Sequence, residues 1–272
     1  MNSAKKSILG VDVSTNTKDE LLQEVSDYLK KKSKTSFTIV TPNPEQMVYT
    51  QKDARFRKIL NSADIALPDG IGIVWAMNRL KNNAPQPPLS KRGSVSGGVI
   101  KRIPGIEFAE ELIKIAAQNN YHVGLVGGRI NIAQKALERL QKKYPKLNGW
   151  AEDGPEIKIS NLKSQISSEE TPLEELQKKI KRTNTRLLFI GFGAPKQEFF
   201  IEAISHQPSA IRQNVVLMVV GGSFDVWSGR IRRAPLFIRG LGFEWLWRLF
   251  QEPWRIKRQL NLLKFIYLVL KK

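Results

Sequence analysis

Residues able to do chemistry gather in five short stretches, each directly after an apolar run: TPNPEQ at 41–46, PDGIG at 68–72, VGGR at 126–129, GFGAPKQE at 191–198 and GGSFD at 221–225. The second holds Asp69 between a proline and a glycine, where the apolar run gives way to helical spacing. A carboxylate in that place reads two ways. It caps the following helix by accepting one of its free N–H groups, or it is a general base at the mouth of a cleft. Spacing alone leaves both open. Gly127 and Gly128, ahead of a helix-like segment, would offer backbone N–H groups to a phosphate. Other chemistries lack their patterns. GFGAPK carries Lys196 where a dinucleotide fingerprint needs glycine, and neither a Walker sequence nor a G-x-S-x-G elbow occurs. The two histidines, His122 and His206, have no metal-binding spacing, and there is no cysteine and no D-x-D pair, so no metal and no cofactor are expected. His122 lies in a strand-like run and reads as structural. Neutralising a phosphate would then fall to Arg and Lys.

The elements that must position these stretches alternate in type. Candidate strands are Ser7–Val13, Phe37–Thr41, Asp64–Leu67, His122–Val126, Leu187–Gly191 and Val215–Val220. Helix-like segments lie between them at Lys18–Lys31, Pro44–Leu60, Ile71–Leu80, Glu107–Asn119, Ile130–Lys143, Leu173–Lys181 and Pro195–Ser205. Alternation of this kind predicts βα units. Continuous runs such as LLFIGFG and VVLMVVGG predict strands buried on both faces, as in a parallel sheet. The fold class expected is α/β: a Rossmann-like, doubly wound, mostly parallel sheet with a basic helical appendage at the C-terminus. In such sheets ligands bind outside the carboxyl ends of the strands, which is where all five stretches fall. Asn82–Ile100 and Ile159–Thr171, rich in polar and turn-forming residues, read as a surface loop and a linker.

The chain has 272 residues, of which 41% are hydrophobic and 25% charged, ordinary values for a globular protein. Its net charge is +19. Residues 226–272 hold eleven Lys/Arg against Glu244 and Glu252, together with four of the six tryptophans. We therefore divide the chain into a core, 1–225, and a basic, aromatic appendage, 226–272. Arg248, Arg255 and Arg258, at i, i+7 and i+10, would share one broad helical face. That face would grip an anion, or it is merely solvated. Basic residues mixed with aromatics suit an anionic membrane surface or a nucleic acid. The longest late apolar run, Phe265–Leu270, is six residues, against roughly 20 for a spanning helix. The N-terminal segment MNSAKKSILGVDVSTNT lacks the apolar core of a secretory signal, so a cytoplasmic protein is expected.

TPNPEQ, ADIALPDGIGIVWA, RIPGIEF, GFGAPKQE, VGGSFDVWSGRIRRAP and LGFEWLWRLFQEPWRIKR resemble, in order, the signature blocks of the WecG/TagA/CpsF glycosyltransferase family. The resemblance runs from about residue 7 to residue 260. It implies an inverting, metal-independent transferase that moves a sugar, such as N-acetylmannosamine, from a UDP-sugar to an undecaprenyl-diphosphate-linked sugar in cell-surface polysaccharide synthesis. By the same resemblance Asp69 is the general base. Thr41 and Asn43 hold donor sugar or acceptor, Arg102 contacts a diphosphate, and Gln197 touches substrate. Gly127, Gly128 and Asp225 line the nucleotide site, and Arg248, Arg255 and Arg258 bring charge to the diphosphate at the membrane. For Gln197 the plain alternative is a helix surface residue. Glu107 stands where the family more often has Asp. A peripheral place at the inner face of the plasma membrane and self-association are also implied. Two other readings stand beside this one: a basic nucleic-acid-binding module, motivated only by the charge and the aromatic tail, and a member that binds UDP without catalysis.

Overall fold

The computed structural model describes residues 4–31, 33, 35–81, 99–154, 172–205, 214–240, 242–253 and 256–271, with 81, 172 and 257–259 described for the backbone only. The expected loop at 82–98 and linker at 159–171 lie outside these residues, as does His206. Eight strands are described: β1 (Lys5–Ile8), β2 (Val11–Ser14), β3 (Phe37–Val40), β4 (Ile65–Ala66), β5 (His122–Gly127), β6 (Gly149–Glu152), β7 (Thr185–Gly191) and β8 (Val216–Val219). The helices are α1 (Lys18–Lys30), α2 (Pro44–Tyr49), α3 (Ala54–Ser62), α4 (Ile71–Lys81), α5 (Gly105–Gln118), α6 (Ile132–Lys143), α7 (Pro172–Arg182), α8 (Lys196–Ser205), α9 (Ser223–Trp227), α10 (Leu236–Gly240), α11 (Glu244–Gln251) and α12 (Ile256–Leu270).

Strands β3 to β8 form one sheet in the order β4-β3-β8-β7-β5-β6, and every neighbouring pair is parallel. Period-two alternation divides its side chains between two cores. Ile39, Leu125, Leu187, Phe189, Val216 and Met218 face the layer of α1, α5, α6 and α9. Val40, Val126, Leu188, Ile190, Leu217 and Val219 face the layer of α2, α3, α4, α7 and α8. Both faces are covered, so the strands carry continuous apolar runs. The Rossmann-like, doubly wound architecture follows directly.

Three expectations change. Ser7–Val13 is not one strand: Leu9 and Gly10 take positive φ values of 51° and 83°, reversing the chain into the antiparallel β1–β2 hairpin. Pro44–Leu60 is two helices, because Asp53 accepts a hydrogen bond from the Phe56 N–H at 2.9 Å and so caps a new start. Strand β6, GWAE, has no apolar run to announce it; it pairs with β5 alone at the sheet edge and is half-buried throughout. The tail also differs from a simple appendage. The division at residue 225 falls within α9, and α12 lies on α2 and α4, with Phe265 and Val269 buried in the same core as Met47, Ile73 and Met77.

Candidate active site

The five polar stretches stand in a row along the carboxyl edge of the sheet, in the order of the strands they follow: 68–72 after β4, 41–46 after β3, 221–225 after β8, 191–198 after β7 and 127–129 after β5. Four interstrand gaps of about 4.8 Å make this a row roughly 19 Å long, room for an elongated ligand lying across the strand ends. The chain direction reverses between β5, which leads outward to β6, and β7, which leads the other way to β8. Ligands in open parallel sheets bind at such a reversal, and here Gly127 and Gly191 stand on its two sides in close approach. A Cβ on Gly127 would sit 2.9 Å from the Gly191 carbonyl carbon, and its φ of +112° belongs to glycine. The Gly128 N–H donates to the Gly191 carbonyl at 2.9 Å, which holds the two loops together.

At the β4 end, Asp69 is half-buried, keeping 31% of its side-chain exposure. Its carboxylate accepts from Arg102 Nη2 at 3.2 Å and lies against Gly105, the first residue of α5, whose backbone N–H lowers its proton affinity. The helix N–H it meets thus belongs to α5, reached across the fold, rather than to α4, which follows it in sequence. Burial raises the proton affinity of Asp69 above the usual carboxylate range, and Arg102 opposes that shift. A Cβ on Gly105 would lie 2.8 Å from Thr41 Cγ2 and 3.2 Å from Asp69 Oδ2. Glycine is required there so that Thr41, Asp69 and the α5 N-terminus can meet. The Ile103 N–H, bonded to the Pro68 carbonyl at 3.1 Å, holds the strip that carries Arg102 against the β4 end.

From Asp69 a chain of alternating charges runs into the tail. Arg102 Nη2 also reaches Glu244 at 3.1 Å, Glu244 accepts from Arg233 Nε at 3.4 Å, and Glu107 accepts from Arg233 at 2.7 Å and Arg239 at 3.2 Å. Glu107 is therefore an anchor for two tail arginines. Nε of Arg102 and of Arg239 is buried without a hydrogen-bond acceptor, while Nε of Arg248 is ion-paired with Glu252 at 3.6 Å.

The remaining candidates are placed as follows. Arg248 donates from Nη2 to the Gly222 carbonyl at 3.0 Å, over the β8 end. Asp225 is paired with Arg230 at 2.7 Å. Asn43 caps α2 through a capping box with Gln46. Gln197 is not a helix surface residue: it is only 3% exposed, its Oε1 accepts from the N–H groups of Gly193 at 3.2 Å and Gly221 at 3.1 Å, and its Nε2 donates to Glu198. Every polar atom of that amide is in use, which gives it a loop-bridging place. Of the face expected for Arg248, Arg255 and Arg258, only the Arg248 side chain falls among the described residues. Arg248 lies on α11 and Arg258 on α12, separated by the break at Glu252 and Pro253, while Arg255 and the Arg258 side chain lie outside the described residues. Among the described residues no three His, Asp or Glu side chains make a metal-ligand group, and no helix is long and apolar enough to cross a membrane.

Sequence reasoning missed Glu244, Arg233 and Glu198. All three stand inside quoted blocks, but only side-chain contacts separate them from ordinary surface charge. An apolar groove of about 470 Å³, lined by Ile71, Val74, Trp75, Asn78 and Arg79, runs along α4 and begins two residues beyond Asp69.

A model of the WecG/TagA/CpsF glycosyl transferase family matches residues 6–272. Curated proteins from Staphylococcus aureus strains MW2, NCTC 8325 and COL are each 32% identical over 270 residues, covering 99% of this chain and 94% of theirs. All three are named N-acetylglucosaminyldiphosphoundecaprenol N-acetyl-beta-D-mannosaminyltransferase.

Proposed function

The chain belongs to the WecG/TagA/CpsF family and is a glycosyltransferase, and from that premise we propose that it moves N-acetylmannosamine or a related hexose from a UDP-sugar to an undecaprenyl-diphosphate-linked sugar. The observation that carries this reading is the position of Asp69: half-buried, at the β4 end, touching Arg102, and linked through Glu244 to the arginines of the tail. The nucleotide lies toward Gly127 and Gly128, and the sugar lies along the strand ends toward Thr41. Asp69 takes the proton of the acceptor hydroxyl as that oxygen bonds to the anomeric carbon, while the bond from that carbon to the UDP oxygen breaks. Burial has already raised the proton affinity of the carboxylate, which favours a base. The negative charge of the departing UDP is received by guanidiniums, Arg248 beside the β8 end among them, and no divalent ion is needed. The β-D linkage in the relatives' names corresponds to inversion when the donor is an α-linked nucleotide sugar.

The acceptor's lipid suits the apolar groove on α4. The tail suits a membrane surface, since Ile256, Leu260, Leu263, Tyr267 and Leu270 form an exposed stripe at helical spacing on α12, with Phe237, Phe243 and Phe250 exposed nearby. The enzyme would then work peripherally at the inner face of the plasma membrane. The same stripe could hold a second copy in the absence of lipid. Family membership takes precedence over the nucleic-acid reading. The test is a screen of UDP-sugars with a short-chain lipid-diphosphate acceptor, comparing wild type with Asp69→Asn. Asn keeps the acceptor atom for Arg102 and Gly105 but removes basicity, so turnover should fall by about 10²–10⁴ with the melting temperature little changed. Unimpaired turnover in the variant would return Asp69 to a capping role, and UDP binding without turnover in the wild type would favour a non-catalytic member.

A further inference from the structure

Glu198 is fully buried, belongs to no ion pair among the described residues, and has no part in the transfer step. It is the centre of a polar chain that joins the ends of the three middle strands. Its Oε1 accepts from Gln46 Nε2 at 2.6 Å and from Gln197 Nε2 at 2.8 Å. On one side, Gln46 Oε1 accepts from the Asn43 N–H at 2.9 Å, at the β3 end. On the other, Gln197 Oε1 takes the N–H groups of Gly221, after β8, and Gly193, after β7. Gln46 and Gln197 are 2% and 3% exposed, and Glu198 is 0% exposed.

Three adjacent buried polar side chains are costly where an apolar cluster would pack as well. What the polar chain gives, and apolar packing cannot, is directional contact to backbone N–H groups of three separate loops. Oε2 of Glu198 is buried without a partner, and burial pushes this carboxyl up to about 7. A neutral acid fits the contacts, with a carbonyl-like Oε1 accepting two amide N–H groups.

We propose that Glu198 is a positioning residue for glycosyl transfer: through Gln197 and Gln46 it sets the relative placement of the β3, β8 and β7 ends across which donor and acceptor lie. The proposal rests on the function argued above and adds to it a residue that touches neither substrate.

The experiment compares Glu198→Ala, Glu198→Gln and Gln46→Met by steady-state kinetics with both substrates and by amide hydrogen exchange. Glu198→Ala should raise KM for the UDP-sugar and for the lipid acceptor about tenfold or more, and speed exchange in 41–46, 192–197 and 220–222. Glu198→Gln, which retains the accepting oxygen, should stay within about threefold of wild type in both. Gln46→Met cuts only the arm to β3 and should speed exchange in 41–46 while leaving 192–197 and 220–222 near wild type, with a smaller rise in KM than Glu198→Ala gives. If Glu198→Ala does not fold, the other two variants decide the matter. Faster exchange with unchanged KM values would make the network merely structural and overturn the proposal. So would Gln being as damaging as Ala, or Gln46→Met speeding exchange equally in all three loops. A wild type inactive with every UDP-sugar, yet showing the exchange pattern, would instead count against the proposed reaction, and the positioning role would fall with it.

Discussion

Replacing Phe265 by alanine tests whether the last helix is a removable cover or part of the folded body. The ring is fully buried, in a core shared with Met47 and Val48 of α2 and Ile73, Ala76 and Met77 of α4. α4 and α12 come close together at Gly72, where a Cβ would lie 3.3 Å from Leu262 Cδ1 and 3.7 Å from Phe265 Cε1. Truncating a buried phenylalanine costs about 3–5 kcal/mol, because transfer free energy is lost and the cavity relaxes only partly. Against a total stability of roughly 5–15 kcal/mol, that is a large fraction, and a domain of this size should melt on the order of 10 °C lower. Leu263, two residues earlier on the same helix and 66% exposed, provides the internal control: Leu263→Ala should stay within about 0.5 kcal/mol of wild type. Urea denaturation followed by tryptophan fluorescence measures both. Should Phe265→Ala lie within about 1 kcal/mol of wild type, α12 contributes little to the core, and a chain ending at residue 240 would fold unaided. A large loss means that such a truncation damages the body of the enzyme, and its inactivity would say nothing about the arginines.

Two further outcomes follow from the charged network and from the exposed stripe. The negative charge of Glu244 adds to the proton affinity of Asp69, so Glu244→Gln should let Asp69 lose its proton at lower pH and move the acidic limb of the kcat/KM profile toward acid. A limb that stays in place or moves the other way would disconnect Asp69 from that limb or from Glu244. Changing Leu260 and Leu263 together to glutamate should weaken co-sedimentation with anionic vesicles by tenfold or more while leaving the melting temperature near wild type, since both side chains are exposed; unchanged sedimentation would remove α12 from the membrane contact.

Much of this was legible in one dimension because it depends on local periodicity. Doubly buried parallel strands require unbroken apolar runs, and their carboxyl ends require glycines and small polar residues, so the sheet and its row of loops could be read from LLFIGFG, VVLMVVGG and the stretches after them. The errors came where local signal is weak. The β1–β2 reversal hangs on two positive φ values, and β6 is an edge strand without an apolar run. The deeper differences concern partners far apart in sequence. Asp69 could be read as the cap of its own helix or as a base, and it lies against Gly105, 36 residues on, and Arg102, 33 residues on. Nothing in the sequence marked Glu198, and its bond to Gln46 spans 152 residues. Residue type determines what a carboxylate can do. Whether it is a base, a cap or a buried neutral strut depends on desolvation and on which donors the fold brings to it, and packing alone decides those.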